Sequence, residues 1–263
     1  MAVNTAHRGV RMSDADVELP ESIELAWGLR ERPGRGPRRS LTMEQVVAAG
    51  IRVAEADGLP AVSMSRVAGE LGVATMSLYR YVSAKGDLLD LMADAAYGDP
   101  PAPRGPDEGW RPALARWALG NVTAIHRHPW IRQVPIGGPP LGPNQVRWME
   151  QGLAALRGTG LRAAERLSTI MLVSGYARNW ATLTADLDEA AAREQLDPDD
   201  VGARYWHQLA RLTRHGPYPA IRELLAENVD GAEDEEFEAE WQFGLDRILD
   251  GVEALIRSRT ATD

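Results

Sequence analysis

Between Val62 and Val82 the apolar positions fall into two short helical runs separated by a glycine. Val67, Ala68 and Leu71 recur at i, i+1 and i+4, which is one inward stripe of a helix. Leu78 and Tyr81 repeat an inward spacing after the break. Ser63 stands where an N-cap belongs, its hydroxyl free to accept an orphan amide of the first turn. Gly72 follows the first run and permits the left-handed conformation in which helices often end. Val73 tucks back, and Thr75 is placed to cap the second helix. Two helices so short and so tightly joined must cross steeply, and Ala68 leaves room for the approach. The positions left outside are Thr75, Met76, Ser77, Tyr79 and Arg80, a small, polar, aromatic and basic set suited to a DNA major groove. The competing reading of the pattern is a helical hairpin inside a core.

The flanks extend the pattern. Thr42 is a candidate N-cap with Glu44 and Gln45 in the first turn, Val46, Val47, Ala49, Gly50, Val53 and Ala54 face one way, and Gly58 ends the helix. Ser83 is the expected cap of a helix opening at Lys85. Further along, Trp110, Leu114, Trp117, Asn121 and Ile125 share one helical side, and Trp148, Met149, Gly152 and Leu153 face inward from the next helix. Between them, residues 135–144 (PIGGPPLGPN) are too rich in Gly and Pro for regular structure. Residues 161–187 form a long helix with Leu167, Ile170, Met171, Ser174 and Ala177 or Arg178 on one side. Residues 235–258 carry a wide apolar stripe of Phe237, Trp241, Leu245, Ile248, Leu249, Val252 and Leu255. No period-two run suggests a sheet, so the expected fold is all-α.

This order of helix, helix-turn-helix and the segment LYRYVSAKGDLLDLM closely resembles the tetracycline-repressor (TetR) family of bacterial transcription regulators. The family signature is matched by Gly72, Val73, Leu78, Tyr79, Tyr81, Lys85, Leu88 and Leu89. The resemblance is strong over residues 42–92 and weaker beyond. It strengthens again over 241–256, which look like the last helix of the subgroup nearest the tetracycline repressor. It implies an N-terminal three-helix DNA-binding domain at 41–100 and a larger helical effector-binding and dimerisation domain at 107–263. The implied function is that of a ligand-responsive, sequence-specific regulator: a homodimeric repressor on a near-palindromic double-stranded operator, released by a small apolar or aromatic effector.

Residue chemistry and resemblance together assign roles. Met76 and Thr75 offer a thymine-methyl contact and a hydroxyl, Ser77 bonds either way, and Arg80 reaches guanine or phosphate. By resemblance, Tyr79, Tyr81 and Lys85 contact the sugar-phosphate backbone, with Ser65 and Arg66 near a phosphate or groove edge. The resemblance also implies an effector among the helices of the second domain that shifts the helix from 85 to 97. The expected lining is Trp117, Asn121, Trp148, Met149, Met171 and Arg178, with Asn121 and Arg178 as polar anchors. The plainer alternative makes those aromatics core alone. Helices 161–187 and 235–258 would pair with their mates as a four-helix bundle, Gly175, Ala177, Gly244 and Gly251 allowing close approach. A tetracycline site is not expected, because Asp99–Pro103 stand where that protein has a histidine and Trp117 replaces a pocket asparagine.

Composition changes the picture at three points. The net charge is −9, unusual for a DNA binder, yet residues 27–86 hold nine Arg/Lys against five Asp/Glu while 91–263 hold 18 against 26. The basic charge is local to the expected reader. Residues 1–40 read as a flexible Arg/Gly/Pro-rich arm, with Ile23, Leu25, Ala26 and Trp27 as a short amphipathic patch. Its arginines at 30, 32, 35, 38 and 39 either reach phosphates and a minor groove or form a solvated linker. With no cysteine, no signal-length apolar stretch and no membrane span, a cytoplasmic protein without membrane partner, metal or cofactor is expected. No catalytic constellation stands out. His126-Arg-His128 runs into Pro129, which spoils a helical zinc pair, and the acidic run Glu233–Glu236 reads as a solvated helix start. The rival readings are a DNA-binding co-regulator that ignores small molecules and, more remotely, an enzyme of a class that no motif identifies.

Overall fold

The computed structural model describes residues 19–29, 41–195, 198–227 and 235–260. Among these the regular elements are helical, with no strand, as the patterning predicts. The chain divides into two compact units, one drawn from residues 1–95 and 136–143, the other from 96–135 and 144–263.

The first unit contains α1 (Glu21–Ala26), α2 (Met43–Asp57), α3 (Met64–Leu71) and most of α4 (Lys85–Tyr97). A reciprocal cap starts α2: Gln45 N–H donates to Thr42 Oγ1 at 3.2 Å, and Thr42 N–H donates to Gln45 Oε1 at 3.0 Å. Its buried residues are the six expected, Val46, Val47, Ala49, Gly50, Val53 and Ala54. At Gly50 a Cβ would lie 2.6 Å from Met92 Sδ on α4, so a side chain there would displace the methionine. Within the span expected to be a flexible arm, Glu21–Ala26 instead form a helix with Ser22 buried. Trp27 follows it and donates its indole N–H to the Leu141 carbonyl at 2.8 Å. The arginines between 30 and 39 lie outside the described residues.

The second unit comprises α5 (Trp110–Arg127), a 3₁₀ turn (Pro129–Gln133), α6 (Pro143–Ala155), α7 (Ala163–Glu194), α8 (Pro198–Thr213), α9 (Pro219–Glu227) and α10 (Glu235–Thr260). α5, α6, α7 and α10 enclose a core in which Leu114, Ile125, Leu156, Val173, Leu245 and Leu249 are almost wholly buried. Gly152 lets α6 meet α5 and α7, since a Cβ there would stand 3.0 Å from Trp117 and 3.1 Å from Ile170. Tyr176 stacks on Trp241 at 4.9 Å between centroids and donates its hydroxyl to the Trp241 carbonyl at 3.0 Å. Gly244 accommodates this Tyr176 hydroxyl, so its missing side chain serves packing within the chain.

The stripe expected along α7 is split. Ile170 and Ala177 are buried in this chain's own core, whereas Leu167, Met171, Leu172 and Leu183 are exposed. Residue 171 is one helical step of about 100° from Ile170, enough to carry it out of the core. On α10, Trp241, Leu245, Leu249 and Val252 face inward while Phe243 and Gly251 face out. The Phe237 side chain lies outside the described residues.

Glu165 ties the start of α7 to the end of α10. Its carboxylate accepts from the Arg162 guanidinium at 2.6 Å, from the Arg162 N–H at 2.9 Å and from the Arg259 guanidinium. Arg162 is the main cause that holds the Glu165 pKa at about 2. A folded pKa below the ordinary 4.5 means stabilisation that is full above pH 4.5 and lost as the pH falls toward 2.

Two outcomes are expected. Gly152→Ala overpacks the Trp117–Ile170 contact and lowers stability by about 1–3 kcal/mol, read from the denaturant midpoint. The gap in melting temperature between wild type and Glu165→Gln is widest above pH 4.5 and closes toward pH 2; a gap independent of pH contradicts the ion-pair assignment.

Candidate nucleic-acid interface

Short-range rules build the helix pair. Ser63 Oγ accepts the Arg66 N–H at 3.2 Å and opens α3. Gly72 closes it in the left-handed conformation, φ 66° and ψ 31°, where Val73 N–H donates to the Ala68 carbonyl at 3.0 Å. The second element, Thr75–Arg80, is a 3₁₀ helix, tighter than the α-helix expected. Ala74 occupies the cap position, its carbonyl accepting the Ser77 N–H at 2.8 Å, so Thr75 is not the cap.

The tighter winding decides what faces out. At three residues per turn, side chains at i and i+3 eclipse. Thr75, Leu78 and Tyr81 therefore line one edge, and Leu78 and Tyr81 on it are buried. Met76 and Tyr79 share a second edge and are 75% and 45% exposed. Ser77 and Arg80 share the third, Arg80 exposed and Ser77 half-buried.

Two residues expected at DNA have other engagements. Tyr81 is inside, and its hydroxyl donates to the carbonyl of Leu41, forty residues earlier, which ties the 3₁₀ helix to the entry of α2. Arg66 forks between Asp57 at 3.1 Å and Glu70 at 3.3 Å, and Arg52 joins Glu70 at 3.3 Å, so these charges stitch α2 to α3. The Asp57 hydrogen bond chiefly raises the Arg66 pKa, with Glu70 adding to it. Ser83 does not cap α4 as an acceptor; instead Asp87 accepts its N–H at 3.1 Å and its hydroxyl. Lys85 is exposed at the first residue of α4, and Ser65 is exposed on α3.

In the second unit, Trp117, Asn121 and Trp148 are buried and Met149 and Arg178 half-buried. Trp117 donates its indole N–H to the Trp148 carbonyl at 2.9 Å, their rings 6.2 Å apart. Tyr97 meets Trp148 edge-on at 5.7 Å. Asn121 donates to the Trp117 carbonyl at 2.9 Å. Met171, the sixth expected lining residue, is 65% exposed and faces away from this group. Sequence reading missed Tyr97, Trp130 and Arg132. Arg178 donates to the Arg132 carbonyl at 3.2 Å, a link between α7 and the 3₁₀ turn that no local periodicity announces.

A tightly joined helix pair with a polar-aromatic edge turned outward, ahead of a larger helical unit, defines a helix-turn-helix DNA-binding regulator. Residues 46–92 match the bacterial regulatory proteins of the tetR family, and residues 102–256 match the tetracyclin repressor-like C-terminal domain. The HTH-type transcriptional repressor DrrR1 of Streptomyces coeruleorubidus is 38% identical over 261 residues, covering 97% of this chain and 93% of that protein. An HTH-type transcriptional regulator of Saccharopolyspora erythraea is 30% identical over 236 residues, covering 90% of this chain and 91% of its own. Apo ActR of Streptomyces coelicolor shares the fold, with a TM-score of 0.69 at 22% identity over 84% of this chain and 99% of that one. The chain belongs to the TetR family of bacterial transcription regulators.

Tyr81→Phe removes the bond to Leu41 and leaves a carbonyl unpaired, so it lowers stability by about 0.5–1.5 kcal/mol. DNA affinity per folded molecule stays within twofold of wild type. A selective loss of affinity at unchanged stability instead makes the phenol a backbone contact.

Proposed function

We propose that the protein is a homodimeric repressor that binds a near-palindromic operator through Met76–Arg80 and leaves it when a small apolar or aromatic molecule occupies the second unit. The observation that carries this reading is the exposed edge formed by Met76 and Tyr79 above the buried Leu78. Thr75, Met76, Ser77 and Arg80 choose the sequence, while Tyr79, Lys85 and Ser65 position the domain on phosphates. Arg66, already forked between two carboxylates, supplies charge to the field more than a direct contact.

One such reader buries too little surface for tight binding, and a two-fold pair on two half-sites is the economical solution. The exposed apolar residues of α7, with Phe243 on α10, support a partner copy there, because monomers rarely leave such surface to water. Support for an effector comes from the aromatic group of Tyr97, Trp117 and Trp148 with few polar anchors. ActR, which shares the fold, has been solved in complex with actinorhodin. The coupling is thermodynamic and reciprocal, and about 3 kcal/mol of it lowers operator affinity roughly 150-fold. The protein acts in the cytoplasm and carries out no catalytic step; among the described residues no helix is long and apolar enough to cross a membrane.

A second reading has one observation in its favour. The indole N–H groups of Trp117 and Trp148 are already met, by the Trp148 carbonyl at 2.9 Å and the Gly98 carbonyl at 3.0 Å, which suits a regulator with a filled core and no effector. Titrating aromatic compounds against intrinsic Trp fluorescence, with operator release as the second readout, separates the two. Lys85→Ala weakens all duplexes alike and flattens the salt dependence. Met76→Ala and Arg80→Ala change the preferred base pairs by about 1–3 kcal/mol each. Equal losses across a randomised duplex pool for all three variants overturn the assignment of reading residues.

A further inference from the structure

The 3₁₀ turn Pro129–Gln133 carries two buried N–H donors without an acceptor. Trp130 is 5% exposed and its indole Nε1 is unpartnered. The Arg132 side chain is 4% exposed and its Nη1 is likewise unpartnered. Native interiors seldom leave such groups unmet, and a buried guanidinium nitrogen is among the costliest to strand. The other arm of Arg132 accounts for only part of its charge: Nη2 pairs with Asp186 at 3.3 Å and with Glu189, both carboxylates standing in water. Solvent screens those outer charges, whereas the inner nitrogen faces a drier environment where an acceptor gains most.

The turn also adjoins the aromatic group already described. Arg178 donates to the Arg132 backbone carbonyl, fixing the turn to α7. The same Arg178 charge acts on Tyr97, whose hydroxyl burial pushes up in pKa while Arg178 pulls it down. Tyr97 in turn packs edge-on against Trp148. Through Arg178 the turn is thus joined to the apolar rings, and unmet donors together with such rings compose a site for an amphiphilic aromatic molecule.

We propose that Arg132, assisted by Trp130, is the anchor for an acidic oxygen of the effector, so the effector class is an aromatic anion bearing a carboxylate, phenolate or sulfonate. This rests on the reading of the second unit as an effector domain. The Arg132 Nη1 donates a charge-assisted hydrogen bond to the anion, while the ring system lies against the tryptophans. Asp186 and Glu189 hold the outer nitrogen and orient the fork. The sequence gives no sign of this, since an arginine following a proline and a tryptophan reads as a surface residue.

Two fluorescent probes with one skeleton test it: 8-anilinonaphthalene-1-sulfonate and its uncharged counterpart N-phenyl-1-naphthylamine. Nonspecific adhesion to exposed apolar surface is common to both, so the difference between them reports the sulfonate. With full-length protein the sulfonate binds at least tenfold tighter. Arg132→Gln removes that advantage and leaves the uncharged dye unchanged, Trp130→Phe cuts sulfonate binding severalfold, and Glu189→Gln preserves or tightens it. Equal affinity of the two dyes for wild type overturns the anchor and assigns the unmet donors to water. So does a parallel loss of both dyes in Arg132→Gln, which marks a structural role. If Arg132→Gln does not fold, Trp130→Phe decides: selective loss of the sulfonate supports the anchor, and unchanged binding overturns it. Binding of neither dye overturns the effector reading itself, a failure distinct from that of the anchor.

Discussion

Leu78 has no exposed surface, and the three-residue repeat that puts it inside also turns Met76 and Tyr79 outside. The outward edge is therefore a by-product of burying one leucine in a 3₁₀ helix. A six-residue helix has little stability of its own, because nucleation costs more than so few hydrogen bonds return. Its conformation is imposed from both ends. Gly72 delivers the chain at the required angle, and Tyr81 anchors the exit to Leu41. The ion-pair fork of Arg66, Asp57 and Glu70 holds α3 against α2, so the platform beneath the leucine is tied by charge as well as by packing.

The second unit obeys the complementary constraint. Where the first turns Met76 and Tyr79 outward, the second buries Trp117, Trp130, Trp148 and Trp241. Gly152 and Gly244 give up side chains so that Trp117 and Tyr176 can close over them. Among the described residues several buried polar side-chain atoms lack a partner, and two of them are N–H donors on the turn between α5 and α6.

Features governed by nearest neighbours are legible in the sequence. The Thr42–Gln45 box, the Ser63 cap, the left-handed Gly72 and the six buried positions of α2 each depend on residues a few places apart. Features governed by distant partners are not. Thr75 looked like a cap because its residue type suits one, but a 3₁₀ start uses the Ala74 carbonyl instead. Tyr81 carried a family expectation of DNA contact, and its bond to Leu41 is invisible to any local window. Met171 was assigned inward because a heptad-like stripe does not say which of two adjacent faces meets the chain's own core. The helix at Glu21–Ala26 shows in the sequence only as the short amphipathic patch Ile23, Leu25, Ala26 and Trp27, beside Gly- and Arg-rich neighbours.

The account stands or falls on whether Met76 faces DNA in solution. Methionine oxidises at a rate set by its exposure, so brief hydroxyl-radical labelling read by mass spectrometry measures that directly. With a duplex selected by the protein itself, Met76 oxidation falls at least fivefold, while a scrambled duplex at the same salt leaves it unchanged. Equal oxidation of Met76 with and without the selected duplex would contradict the assignment of Thr75–Arg80 as the reading element.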